Sequence, residues 1–132
     1  MTARGVLGTS VFIASESGPE LVEDRLPEES AISVVTLAEL HAGVLAAPDT
    51  DSRARRMATL DALGDVEVLP VDERAALVWA RMRVHLAETG RRAGVNDLWI
   101  AATAATSGLP VVTQDDDYDQ LDGVAGLTVI KV

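Results

Sequence analysis

Short, β-branched apolar runs alternate along this chain with longer stretches whose apolar positions recur every three to four residues. The first run, "GVLG" at 5–8, ends at Thr9-Ser10, which reads as the N-cap of a helix over "VFIASES". Gly18-Pro19 breaks that helix, and "ELVEDRL" at 20–26 predicts a second short one, stopped by Pro27. "AISVVT" at 31–36 reads as a buried parallel strand, followed by a helix over 37–47 that ends at Pro48-Asp49. Met57, Leu60 and Leu63 share one face of a helix over 53–63, closed by Gly64. "VEVLPV" at 66–71 is a third strand, and Asp72 caps a helix over 73–89 with Val78, Met82 and Leu86 on one side and Gly90 at its end. A basic loop, "RRAGV", then leads to Asn96, read as the cap of "DLWIAATAATSG", a helix apolar on nearly every face and so expected to be buried. "LPVVT" at 109–113 and "LTVIKV" at 127–132 are the fourth and fifth strands, joined through the acidic "QDDDYDQLDG".

Strands alternating with helices predict an α/β, three-layer fold: a mainly parallel five-stranded sheet with helices on both faces and right-handed crossovers. At 132 residues the chain is expected to be a single domain spanning 1–132. In such sheets ligands bind beyond the carboxyl ends of the strands, where the strand order reverses. Those ends are the elbow at 8–10, the start of the Leu37 helix and the loop at 114–117, and all are polar or acidic except Gly8.

Composition narrows the picture. Aromatic residues are only 3% of a chain that is 48% apolar, so the core must be aliphatic. The absence of cysteine excludes disulfides and thiolate metal sites and fits a reducing compartment. With neither a membrane-length apolar run nor an apolar leader, the chain is expected to be soluble and cytoplasmic, with no membrane partner. A net charge of −10 argues against a nucleic-acid partner gripped only through phosphates, unless the acids gather around cations or a basic partner neutralises them.

The acids do fall where a ligand is expected. Glu39 sits in the first turn of the helix after strand two, where helix-dipole compensation alone accounts for an acid. Asp97 stands at the head of the apolar helix, and Asp115, Asp116 and Asp117 follow strand four in succession. Asp116 reads as a solvated loop acid. Two like charges ~4 Å apart repel by roughly 4 kcal/mol at an effective dielectric of 20, a cost that a hard divalent cation offsets. Oxygen-only ligands favour Mg²⁺ or Mn²⁺ over Zn²⁺. His41 and His85 lie within helices and read as surface groups.

Four stretches, "VLGTSVFIA", "ISVVTLAELHAGV", "GRRAGVNDLWIAATA" and "LPVVTQDDDYDQL", carry a resemblance to PIN-domain proteins of the VapC toxin type over essentially the whole chain. The resemblance implies the toxin of a type II toxin–antitoxin system: a Mg²⁺-dependent endoribonuclease restrained by a VapB-type antitoxin, in a homodimer or a toxin–antitoxin hetero-oligomer. Glu39, Asp97 and Asp115 match three of the family's four core acids, and Asp117 matches a further acid of the same loop. Thr9 and Ser10 match the polar pair at the first elbow, and Asn96 a neighbour of the third acid. By the same resemblance Asp97, Asp115 and Asp117 are metal ligands, and Glu39 is a water-mediated ligand or a general base.

The departure is Gly8, which stands where the family reads Asp-Thr-Ser and the Asp is a direct ligand. It marks the position of a missing acid and implies impaired activity; the alternative is a catalytically inactive module that only binds antitoxin. Arg91 and Arg92, with Arg53, Arg55 and Arg56 behind them, are candidate RNA phosphate contacts. Leu37, Leu40, Val44, Leu45, Met57, Leu60 and Leu63 form a candidate antitoxin groove. A phospho-acceptor receiver domain would need paired acids after strand one, where this chain reads Gly-Thr-Ser.

Overall fold

The computed structural model describes residues 2–132. Five strands form one sheet: β1 (Arg4–Leu7), β2 (Glu29–Ser33), β3 (Glu67–Leu69), β4 (Val111–Thr113) and β5 (Val129–Lys131). Their order is β3-β2-β1-β4-β5, and every neighbouring pair is parallel. The chain therefore leaves β1 towards one edge through β2 and β3, then returns to β1's other side for β4 and β5. That reversal puts the topological switch point at the carboxyl ends of β1 and β4.

Five helices cover the sheet: α1 (Thr9–Ser17), α2 (Val34–Leu45), α3 (Thr50–Ala62), α4 (Glu73–Glu88) and α5 (Val95–Thr106). Alternation along the strands divides the core in two. Val6, Ala31, Leu69 and Val111 face α4 and α5, which contribute Ala75, Met82, Leu86, Leu98 and Ile100. Leu7, Val112 and Ile130 point the other way and pack with Val11 of α1 and with Val132. Trp79 of α4 stacks on Trp99 of α5, ring centroids 5.1 Å apart, so two of the few aromatic residues lock these helices together. Gly64 and Gly90, just beyond α3 and α4, have φ of +49° and +69°, the left-handed geometry that ends a helix. Among the described residues no helix is long and apolar enough to cross a membrane.

Several boundaries differ from those the sequence predicts. Val34, Val35 and Thr36 belong to α2, not to β2, because Ser33 ends the strand and caps the helix, its Oγ accepting the Val35 N–H at 3.1 Å. The predicted helix over 20–26 is only a 3₁₀ turn at Glu23–Arg25, with no buried residue to hold a longer one. Helix α3 starts earlier, at Thr50, under the Asp49 cap. Leu40 and Val44 are buried and leave the proposed groove, whereas Leu37, Met57, Leu60 and Leu63 line a cavity of about 420 Å³ with His41.

Candidate active site

At the switch point β1 ends and α1 begins at Gly8. The glycine is buried, with φ −73° and ψ 159°, an extended conformation open to any residue. Its N–H donates to the Val112 carbonyl at 2.8 Å. A Cβ added there would lie 3.4 Å from that carbonyl oxygen and 3.5 Å from Thr113 Oγ1. Neither backbone nor space requires glycine at this position.

The two hydroxyls after Gly8 reach different walls of the site. Neither caps α1 as the sequence suggests, since both lie inside the helix and Gly8 itself is the N-cap. Thr9 Oγ1 donates to Glu39 Oε1 at 2.7 Å and lies 3.2 Å from Thr36 Oγ1, fixing the α2 carboxylate towards the sheet. Ser10 Oγ lies 3.0 Å from Thr113 Oγ1 and accepts the Gln114 N–H at 3.1 Å. Thr113 Oγ1 in turn accepts the Asp115 N–H at 2.9 Å, so Ser10 and Thr113 set the start of the acidic loop. Asp115 then caps the 3₁₀ segment Asp116–Leu121 by accepting the Asp117 N–H at 2.9 Å.

Three carboxylates meet above this frame. One oxygen each from Asp97, Asp115 and Asp117 lies within 4.8 Å of the other two. Asp97 occupies the first turn of α5. The cap of that helix is Gly94 rather than Asn96, and a Cβ there would come within 3.2 Å of Asp97 Oδ2. Asn96 is exposed in the same turn. Glu39 stands outside the group of three, but its charge is felt within it.

Burial above all, then the charge of Asp115, pushes the Asp97 carboxyl above the usual carboxylate range; Glu39 and Asp117 add to this, and a hydrogen bond from Tyr118 opposes it. Tyr118 Oη donates to Asp97 Oδ1 at 3.3 Å, and burial together with these acids raises its phenol far above the ordinary value. Tyr118 therefore remains a protonated donor. Two unit charges 4.8 Å apart repel by about 3 kcal/mol at an effective dielectric of 20. Three crowded carboxylates offering only oxygen donors have the chemistry of a hard divalent-cation site.

Other predicted residues lie apart. Asp116 is exposed and pairs with Lys131, which also lies 3.4 Å from Asp119. Arg91 and Arg92 are exposed in the loop before α5, where Gln120 Nε2 donates to the Arg92 carbonyl at 2.7 Å. Arg53 and Arg55 are exposed on α3, while Arg56 is bound to the Gly43 carbonyl at 2.6 Å. Sequence reasoning passes over Thr36, Thr113 and Tyr118. The only local signal for the threonines is a polar residue at the end of an apolar run.

The PIN-domain family model matches residues 6–124. The chain is 61% identical over 130 residues to ribonuclease VapC5 of Mycobacterium tuberculosis, covering 98% of this chain and 96% of that protein. It is 39% identical over 127 residues to ribonuclease VapC4 of the same organism, covering 96% and 97%. Among solved structures, VapBC-5 from M. tuberculosis, a member of the VapBC family of toxin–antitoxin systems, superposes with a TM-score of 0.90 at 58% identity, covering 98% of this chain and 99% of that one. With a sheet whose switch point gathers acids from two separate segments, and with near-full-length likeness to these proteins, the chain belongs to the PIN-domain family and, within it, to the VapC toxins of type II toxin–antitoxin systems.

Proposed function

We propose that this chain is a Mg²⁺-dependent endoribonuclease, also served by Mn²⁺, whose site lacks one carboxylate at position 8 and whose activity is correspondingly impaired. The observation that carries this reading is the convergence of Asp97, Asp115 and Asp117, with the Asp115 N–H bound to the Thr113 hydroxyl that lies beside Gly8. The names of its relatives as ribonucleases support it. Asp97 and Asp115 would hold the cation directly, with Asp117 as a further ligand. When bound, the cation supplies an acidified water and neutralises charge on the phosphodiester.

The protein's own groups do the rest. Thr9 occupies one oxygen of Glu39, leaving the other to orient the attacking water and accept its proton. Ser10 and Thr113 hold the acidic loop in register, and Tyr118 keeps Asp97 turned towards its partners. Asn96 is a supporting neighbour on the first turn of α5. Arg91 and Arg92 contact RNA phosphates. The cytoplasm is the compartment that fits an RNA substrate and a cysteine-free chain.

A VapB-type antitoxin restrains the protein, in a hetero-oligomer built on a toxin homodimer or on single toxin chains. Several of the solved relatives are toxin–antitoxin complexes, which supports that partner. The groove of Leu37, Met57, Leu60 and Leu63 suits the apolar face of an antitoxin helix. A second reading, an inactive module that only occupies antitoxin, is favoured by Gly8.

RNA cleavage in Mg²⁺ by this chain, beside Gly8→Asp and Gly8→Asp/Asp97→Asn, separates the two. A directly coordinating carboxylate contributes several kcal/mol to the transition state, so Gly8→Asp should gain at least roughly two decades of rate, at ~1.36 kcal/mol per decade. Adding Asp97→Asn should remove the gain. A Gly8→Asp protein that cuts no RNA would sink the nuclease reading.

A further inference from the structure

Arg83 on α4 and Arg91 and Arg92 in the following loop line one cavity of about 850 Å³, and no acidic residue joins them. In a chain of net charge −10 with only 11 Lys and Arg residues, three cations around one unopposed hollow form a distinct feature. None of the three guanidinium groups takes part in an ion pair or hydrogen bond among the described residues, whereas Arg4, Arg25, Arg56 and Arg74 are engaged with protein oxygens. The floor is apolar, formed by Trp79 with the buried Leu86 and Leu98. Low-dielectric walls of this kind focus the field of the charges at the mouth.

We propose that this cavity is a phosphate-binding subsite that grips the RNA strand outside the acid cluster, an inference that rests on the ribonuclease reading above. Its placement suits the task. Arg92 precedes Asp97 by five residues, a span of at most about 18 Å of chain, and the Gln120 hydrogen bond to the Arg92 carbonyl ties the arginine loop to the segment that carries Asp117. The acid cluster repels a polyanion unless a cation is bound, so the arginines provide attraction that does not depend on metal. The acidic chain thus holds nucleic acid through a local patch rather than through its net charge.

The test is binding of a single-stranded RNA oligonucleotide, followed by fluorescence anisotropy over a salt series in Ca²⁺ to hold off cleavage. Each lost phosphate contact lowers the slope of log affinity against log salt by about 0.7 on a single strand. Arg83→Gln/Arg91→Gln/Arg92→Gln should bind more weakly, with a slope shallower by about 2, and the corresponding triple lysine variant should recover most of the slope. All three side chains are exposed, so the fold should tolerate both sets. An unchanged slope in the glutamine variant, while Gly8→Asp cleaves RNA, would overturn the subsite and leave the nuclease reading standing. Arginine-dependent RNA binding without cleavage by Gly8→Asp would support the subsite and remove the nuclease reading. If the glutamine variant binds RNA normally but loses antitoxin, the cavity is a protein interface and the inference fails.

Discussion

Replacing Thr113 by valine should damage the protein through two hydrogen bonds and little else. Thr113 is fully buried at the end of β4, so its shape matters; valine keeps that shape and removes only the hydroxyl. Two groups then lose a partner: the Asp115 N–H, at 2.9 Å from Thr113 Oγ1, and the Ser10 hydroxyl, at 3.0 Å. An unsatisfied buried donor costs about 1–3 kcal/mol, and both sites are only part-buried, so a total loss of about 2–3 kcal/mol is expected. For a chain of this size that lowers Tm by roughly 6–9 °C. Thr113→Ser keeps the hydroxyl and gives up one methyl, worth about 1 kcal/mol. Urea unfolding of both variants should show a lower midpoint with unchanged m, the valine variant falling further. Mn²⁺ titration should show weaker binding in the valine variant because Asp115 is no longer held. A valine variant within about 0.5 kcal/mol of the parent, or a serine variant equally destabilised, would refute the role given to this hydroxyl.

In chelator, Asp97→Asn should stabilise the fold at pH 7 but not at pH 3.5. The folded carboxyl binds its proton more tightly than the unfolded one, so the native charge becomes a growing penalty as pH rises above the ordinary value of 3.8. Thermal melts at the two pH values check this, and an equal shift at both would contradict it. Gly8→Asp should gain more thermal stability from Mg²⁺ than the Gly8 chain does, because a further ligand tightens binding to the native state; equal gains would place position 8 away from the metal. Met57→Asp, at a residue 43% exposed, should abolish co-purification with an antitoxin peptide while the melting curve stays put. Retained capture would move the interface elsewhere. Leu40→Asp is the wrong probe, since Leu40 is buried and its loss would read as unfolding.

The alternation of elements was legible because each strand is an apolar run and each long helix has a cap or a breaker. The boundary at Ser33 was not: "VVT" has strand composition, and only the Ser33 hydroxyl on the Val35 N–H turns it into the first turn of α2. Asn96 fails as a cap for a related reason, since the helix begins two residues earlier, at Val95 under Gly94. At the site, Asp97, Asp115 and Asp117 could be placed from sequence because they head the apolar helix and follow the fourth strand, and the structure brings an oxygen of each together. Thr113, Thr36 and Tyr118 could not, because their partners lie 103, 27 and 21 residues away and no local periodicity encodes those meetings. Glu39 stands outside the group of three acids, its Oε1 held by the Thr9 hydroxyl, while its charge still reaches Asp97.

The bond between Ser10 and Thr113 also sets an order of events. It joins residues 103 positions apart, and it depends on β4 pairing beside β1, a closure across most of the chain. Long-range parallel pairing of this kind forms late, because loop entropy must be met before the contacts stabilise anything. During synthesis at about 5–20 residues per second, roughly 5–20 s separate the appearance of Ser10 from that of Thr113. Through that interval the nascent chain holds Glu39 and later Asp97 but has no acidic loop for them to meet. A ribonuclease site assembled in this way is incomplete until almost all of the chain has emerged.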